Sequence, residues 1–264
     1  MELDVAQAVV SPPGHGDKLL HDELFVSVLD ATMNVEPHVH RKHVDSFFVL
    51  EGTFTFDRAG EDVALQPGDY ALAPPLFVHG FRPGGVVLNV HAPGRYWVRA
   101  RLARQEGRKP TPEEYDSHDP PEDLGLPRSD ALVRHAGEGE LLENAVRRIT
   151  IIAARPELCV FLFEGRPGYT GPDSHLHRQH IDAFYVLDGV LELELDGERV
   201  EAPAGTFVAA VPGVVHTFRN AGGAPVRFLN IHAPGMRFDE YFRRQAEGEE
   251  GREFHESFDA YEPG

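Results

Sequence analysis

HVHRKHVDSFFVLEG, residues 38–52, returns as HLHRQHIDAFYVLDG, residues 175–189, at an offset of 137 (175 minus 38). A chain that repeats a histidine-rich block in each half is built from two copies of one unit, so the repeat constrains the architecture before local propensity is weighed. The offset holds at Pro67-Gly68-Asp69 against Ala204-Gly205-Thr206, and at His79 against His216. Downstream it becomes 141, where NVHAPG at 89–94 matches NIHAPG at 230–235, which puts four extra residues in the second copy's preceding loop, Asn220 to Pro225. Upstream, GHGDKLL from Gly14 echoes GEGELLE from Gly137 at an offset of 123.

Within the first copy, LFVSVLDA, SFFVLEG, TFTFDRAG, YALAP and VVLNVHA are short apolar runs that end at Gly, Pro or Asp, as strands joined by tight turns do. In VLELELDGERVEA, Leu191, Leu193 and Leu195 alternate with Glu192, Glu194 and Asp196 before an Asp-Gly turn, the period-two pattern of a half-buried hairpin. The 21 prolines and 26 glycines among 264 residues disfavour long helices. The expected class is all-β, with a jelly roll or small barrel per copy, since both architectures fold exposed sheet edges away. After each HAPG, RYWVRARLARQ and MRFDEYFRRQ read as a short helix packed on its barrel. Residues 107–130, dense in proline and charge, read as a linker, which leaves domains at 1–106 and 131–264. From Gly248 onward the acidic tail receives no assigned structure.

A hydrophobic content of 41% allows two packed cores. The net charge of −18, from 43 acidic and 25 basic side chains, repels phosphate backbones and anionic membranes, so neither nucleic acid nor membrane is an expected partner. A small-molecule substrate is expected, and beyond it only a second copy of the chain, as a homodimer. MELDVAQAVV lacks a basic leader, and nowhere do about eighteen apolar residues run together, so the expected location is cytoplasmic. The single cysteine, Cys159, lies inside the strand-like run LCVFLFEG and is expected to be a buried, inert thiol.

Alternate residues of a strand share a face, so His38 with His40, and His175 with His177, set two imidazoles side by side. Five residues later Asp45 or Asp182 opens the next apolar strand, and His79 or His216 arrives from a strand farther along. Neutral imidazole and carboxylate suit a divalent first-row transition metal (Fe, Mn, Ni, Cu, Co or Zn), and four protein ligands leave room for water, substrate or dioxygen. One His-x-His among fifteen histidines is weak; two copies keeping two histidines, an aspartate and a distant histidine in register are not. The expected ligands are therefore His38, His40, Asp45 and His79, and His175, His177, Asp182 and His216, with one ion per domain.

At these residues the chain resembles the cupin superfamily, whose first motif spaces His-x-His, a glutamate and a glycine as His38 to Gly52 and His175 to Gly189 do. Its second motif is followed by Gly68, Pro74 and His79 in the first copy, and by Gly205, Gly213, His216 and Asn220 in the second. Both copies carry Asp in place of the motif glutamate, Leu76 stands in place of the motif glycine, and Pro83 in place of its asparagine. The layout looks like two-domain cupins of the quercetin 2,3-dioxygenase type, and that resemblance implies two tandem cupin jelly-roll barrels with the ligands named above. Asp is one methylene shorter than Glu, so it either ligates directly, acts through water, or leaves a three-histidine site. His43 and His180 fall between the pair and the aspartate, either exposed on the turn or hydrogen-bonded behind the ligands. His91 and His232 are read either as pocket acid–base groups or as hydrogen-bonded rim histidines. Phe47, Phe184, Tyr185, Phe81 and Phe218 are read as core, with one or two as a wall for a planar substrate.

The leading functional expectation is a dioxygenase acting on a small enol, phenol or diketone, with Asp45 or Asp182 as the catalytic group that takes up the substrate's proton. The alternatives are an isomerase or lyase using the ion as a Lewis acid, and a non-catalytic metal- or ligand-binding barrel. A transcriptional sensor is disfavoured by the charge and by the lack of a basic helix-turn-helix segment.

Overall fold

Alternating apolar residues need a second layer to cover them, and each copy supplies one. In the computed structural model, which describes residues 8–120 and 131–264, the chain divides into two compact units. One is residues 15–138; the other is residues 139–264 with the N-terminal segment up to Gly14.

In the second unit β1 (Val9–Ser11), β12 (Glu140–Glu143), β13 (Arg147–Ala154), β14 (Cys159–Gly165), β15 (Ile181–Asp188), β18 (Phe207–Ala210) and β20 (Val226–Ala233) form a sheet in the order β1-β18-β15-β20-β14-β13-β12. A smaller sheet, β17-β16-β19, holds β16 (Val190–Leu195), β17 (Glu198–Pro203) and β19 (His216–Arg219). In the first unit β2 (Gly16–Leu20), β3 (Phe25–Asp30), β5 (Val44–Glu51), β8 (Tyr70–Ala73), β10 (Val86–Ala92) and β11 (Leu132–Arg134) are ordered β11-β8-β5-β10-β3-β2. Its smaller sheet, β4-β9-β6-β7, holds β4 (Val35–His38), β6 (Phe54–Arg58), β7 (Glu61–Leu65) and β9 (His79–Arg82). Every pairing among the described residues is antiparallel, the double-sheet jelly-roll arrangement expected of each copy.

The sheets meet over apolar cores. Phe47 and Val49 from the larger sheet of the first unit pack against Phe54, Phe56 and Leu65 of the smaller, and Phe184 meets Phe218 at 5.1 Å in the second. Each fully buried phenylalanine contributes roughly 1.5–3 kcal/mol. The β16–β17 hairpin pairs as its alternation predicts, with Leu191, Leu193 and Leu195 inward, and Asp196-Gly197 both at positive φ in the tight turn. Gly52 and Gly189 close the turns after β5 and β15 at φ +69° and +78°, where a Cβ would sit 3.1 Å from Gly85 Cα and 2.9 Å from Pro225 O.

Two features differ from the sequence reading. Strand β1 pairs with β18, and β11 pairs with β8, so each larger sheet takes its outer strand from beyond a boundary at 106 or 131; an open edge offers unpaired N–H and C=O groups that a nearby segment can satisfy. The GHGDKLL and GEGELLE echo does not mark equivalent strands. Strand β2 pairs with β3, whereas GEGELLE falls on β12, which pairs with β13, and β13 holds the place beside β14 that β2 holds beside β3. The expected short helices form as α1 (Arg95–Gln105) and α3 (Phe238–Ala246). Residues 107–120, read as linker, carry α2 (Pro112–Tyr115) with a capping box from Thr111 and Glu114, and the tail carries α4 (Arg252–Glu256). The rest of that linker, and most of the N-terminal stretch read for a leader, lie outside the described residues. No described helix is long and apolar enough to cross a membrane.

Candidate metal centre

Each cluster stands where the two sheets of a unit meet. His38 ends β4 and pairs with His79 at the start of β9; His175 and His216 exchange backbone hydrogen bonds of 3.0 and 2.7 Å in the same way. Asp45 and Asp182 are second in β5 and β15, paired with His91 and His232 of the neighbouring strand. The structure thus brings together His38, His40, Asp45 and His79, and separately His175, His177, Asp182 and His216, with the ligand atoms of each set within 4.8 Å of one another.

The protonation pattern follows from the partners. The Nδ1–H groups of His38, His40 and His79 donate to the carbonyls of Glu36, Asp116 and Phe77 at 3.0, 2.8 and 2.9 Å. Those of His175, His177 and His216 donate to Asp173, Asp259 and Val214 at 2.9, 2.7 and 3.0 Å. A carbonyl only accepts, so each ring carries its proton on Nδ1 and presents a bare Nε2 lone pair. His79 Nε2 lies 3.3 Å and His40 Nε2 3.7 Å from Asp45 Oδ2; His216 and His177 lie 3.2 and 3.9 Å from Asp182 Oδ2. Lone pairs thus face a carboxylate oxygen with no proton between them. The buried Nε2 atoms of His40 and His177 have no hydrogen-bond partner among the described residues. An arrangement so costly in isolation fits a cation, and ligands about 2.1 Å from one ion stand about 3.0–3.4 Å apart at ordinary coordination angles. The donor set therefore fits a divalent metal.

Electrostatics keep the set ready for an ion. Burial, reinforced by the neighbouring imidazoles, pushes His38 and His40 down to about 4, and His175 well below its ordinary range. Burial would raise Asp45 and Asp182, but the facing His91 and His232 and the adjoining cluster imidazoles hold both well below the usual carboxylate range. At neutral pH His38, His40 and His175 are therefore neutral and the two carboxylates ionised, the forms that bind metal.

Asp45 Oδ1 accepts from Asn89 Nδ2 at 2.7 Å, and Asn89 Oδ1 accepts from His91 Nε2 at 3.0 Å. Asp182, Asn230 and His232 repeat this at 2.5 and 3.0 Å. One carboxylate oxygen is thereby fixed and the other, Oδ2, faces the cluster. His91 and His232 are fully buried carboxylate orienters, and of the two sequence readings the hydrogen-bonded one describes them. His43 and His180 are buried as well, not exposed on the turn.

Their partners are the residues that sequence reasoning missed. Asp116, just after α2, accepts from His43 Nδ1 at 3.0 Å and from the backbone N–H groups of Lys42 and Arg41 at 2.7 and 3.1 Å. Asp259, after α4, accepts from His180 Nδ1 and Gln179 N, both at 2.8 Å, and from Arg178 N at 3.2 Å. Both aspartates also give their own carbonyl to the ligand histidine, both have left-handed backbone (φ 53° and 64°), and both lie beside matching bridges, Val39 with His118 and Leu176 with Tyr261. The clamp is duplicated at an offset of 143 (259 minus 116). Its sequence signal, EEYD against ESFD, is four residues long and sits in the two stretches read as linker and unassigned tail.

The motif departure at Leu76 leaves the turn intact. Leu76 adopts φ +69°, close to the +95° of Gly213, and its N–H donates to His40 O at 2.6 Å as Gly213 N does to His177 O at 2.7 Å. In the second unit a cavity of about 40 Å³ reaches His175 and Asp182 between Phe163, Phe218, Phe238 and Phe242. Phe218 is thus a wall as well as core, whereas Phe47 and Phe184 are wholly buried. Cys159 is buried on β14, and burial pushes its thiol up to about 11.

Comparison with known proteins agrees with this geometry. The family model for the cupin domain matches residues 25–88 and 161–232. The chain is 23% identical over 256 residues to quercetin 2,3-dioxygenase of Bacillus subtilis, covering 82% of this chain and 74% of that protein. Among solved structures it is similar to a salicylate 1,2-dioxygenase mutant from Pseudoaminobacter salicylatoxidans (13% identity, 86% and 75% of the two chains, TM-score 0.57). It is also similar to the oxalate decarboxylase of Bacillus subtilis described with Mn(II) centres (16%, 98% and 88%, TM-score 0.55).

Proposed function

The chain belongs to the cupin family, and from that premise we propose that it is a metal-dependent two-domain enzyme, a dioxygenase acting on a small enol, phenol or diketone. The observation that carries the reading is the convergence of three bare imidazole nitrogens and one ionised carboxylate oxygen, including the unpartnered, buried Nε2 atoms of His40 and His177. Its relation to quercetin 2,3-dioxygenase over most of the chain favours dioxygen chemistry over the isomerase and binding-protein alternatives.

Three histidines per unit would hold the ion through Nε2, with their Nδ1–H groups tied to carbonyls so that the rings cannot turn away. The ion supplies Lewis acidity toward substrate oxygens and, when redox-active, electrons for chemistry with dioxygen. Asp182 Oδ2, and Asp45 Oδ2 in the first unit, accept the proton of the substrate's hydroxyl, while Oδ1 stays fixed by Asn230 or Asn89. The phenylalanine rings form an apolar wall beside the cluster, against which the substrate would lie.

The test is metal content per chain by elemental analysis of untagged protein, followed by oxygen uptake on catechols, flavonols and β-diketones. His38→Ala/His40→Ala and His175→Ala/His177→Ala should each lose about one equivalent of metal, and substrate should drive oxygen uptake. Turnover without oxygen consumption would replace the dioxygenase by a Lewis-acid lyase or isomerase. A wild-type protein that takes up no metal after reconstitution would end the enzyme reading.

A further inference from the structure

We propose that Arg147 is the carboxylate-binding residue of the second unit's pocket, which therefore takes a small oxo- or hydroxy-monocarboxylate. The inference rests on the metal-centre reading above and deepens it. Arg147, at the start of β13, lines the same 40 Å³ cavity as His175 and Asp182, between aromatic rings. Its guanidinium donates to Gln245 Oε1 at 2.5 Å and to the Tyr169 hydroxyl and stands 6.0 Å from the Phe242 ring centroid, and it enters none of the ion pairs among the described residues. A guanidinium carries five donors in a fork matched to a carboxylate, so this cation is left with donors to offer a ligand. At about 10–15 Å³ per water, the cavity accommodates roughly three waters, or the carboxyl end of a small acid.

The feature belongs to one unit. Cys159 and Phe25 stand at matching positions, paired with His232 and His91, so Leu162 is level with Val28. Strand β2 ends its pairing at Gly16 opposite Val28, where β13 has Thr150 opposite Leu162 and runs three residues further to Arg147. The first unit therefore has no strand residue at the level of Arg147. The inner pocket shares His175, Tyr241 and Gln245 with an outer cavity of about 500 Å³, whose wall carries Asp173, Glu250, Glu256 and Glu262 against Arg252. That acidic mouth repels a dianion more than a monoanion, and selects the monocarboxylate. Its carboxylate meets Arg147 while its carbonyl or hydroxyl oxygen meets the histidine cluster.

The experiment is calorimetric titration of the full chain, metal-free and Mn(II)-loaded. The probes are pyruvate, acetoacetate and 4-oxopentanoate, each beside its uncharged counterpart: butane-2,3-dione, pentane-2,4-dione and hexane-2,5-dione. At least one carboxylate should bind Mn(II)-loaded protein roughly ten-fold or more tightly than its diketone, as charge-assisted hydrogen bonding predicts. Arg147→Met should erase the preference and Arg147→Lys should keep part of it. The carboxylate preference should persist, weakened, in metal-free protein, so failure of metal uptake and failure of the arginine site are read separately. Equal binding of carboxylates and diketones by the wild type, no carboxylate binding at all, or a preference untouched in a folded Arg147→Met protein would each overturn the proposal.

Discussion

Asp259→Asn should loosen metal at the second centre without touching a ligand. Asp259 is wholly buried, and its carboxylate takes charge-assisted or backbone hydrogen bonds from His180 Nδ1, Gln179 N and Arg178 N, while its peptide carbonyl fixes His177. Asparagine tolerates the left-handed backbone at φ 64°, so the substitution keeps the turn and the carbonyl and removes only charge and one acceptor oxygen. All three donors reach Oδ2, so an amide oxygen placed there keeps them, but the bonds lose their charge assistance and the N–H₂ turns onto Arg178 N, at a cost of about 1 kcal/mol. His180 packs against His177, tilted by 34° at a centroid distance of 3.9 Å, so a loosened His180 is felt at the ligand ring itself. Loss of a partner that orients a ligand typically lowers metal affinity roughly 10- to 100-fold. Competition against a chromophoric chelator should therefore show one of two equivalents per chain released earlier, with the other unmoved. Asp116→Asn should release the other equivalent instead. Unchanged affinity at both centres, in a variant whose melting temperature has fallen, would refute the positioning role and leave Asp259 as a fold contact only.

Two further outcomes concern stability. Leu76→Gly should raise the melting temperature by a few degrees: a non-glycine residue at φ +69° costs about 1–2 kcal/mol, glycine returns about 0.5–1 kcal/mol of that as unfolded-state entropy, and little burial is lost because Leu76 is 45% exposed. A lower melting temperature would mean that Leu76 makes contacts that outweigh its backbone strain. In metal-free protein His38, His40 and His180 sit at about 4 in the fold against an ordinary 6.5, so between those values the unfolded chain binds more protons than the folded one. Urea midpoints should accordingly fall as pH drops from about 6.5 to 4, and keep falling below 4 as the carboxylates held low in the fold, Asp45 and Asp182, are protonated first in the unfolded chain; a flat profile between 6.5 and 4 would show that these imidazoles do not remain neutral in the fold.

How much of this was legible in the sequence depends on the length of the pattern that carries each feature. Strands such as β15 and β16 declare themselves through several alternating residues, and the ligand set through a fifteen-residue block written twice. Features that rest on one or two residues did not. Leu76 hides a glycine-like turn because a sequence shows the residue type and not its φ. The echo from Gly14 and Gly137 misled because a glycine followed by leucines suits any edge strand, and only the pairing register tells β2 from β12.

The clamp aspartates explain why the repeat must extend past the barrels. A His-x-His pair on a strand leaves the second imidazole free to choose its tautomer, and neither barrel sheet offers His40 or His177 a carbonyl; Asp116 and Asp259 do, from segments 76 and 82 residues downstream. The same two residues seat His43 and His180 behind the ligands and bind the backbone of the connecting turn, so one carboxylate and one carbonyl set ring orientation, tautomer and loop position together. A unit cut at residue 106 or 248 would retain every motif histidine and lose the group that aims one of them. The offsets of 137 at the ligands, 141 at the carboxylate-orienting asparagines and 143 at the clamps trace one duplicated unit that runs from the barrel through its helix to the clamp, with small insertions between fixed points. The fixed points are the residues whose atoms converge on each centre, and the segments between them are where the two copies diverge in length.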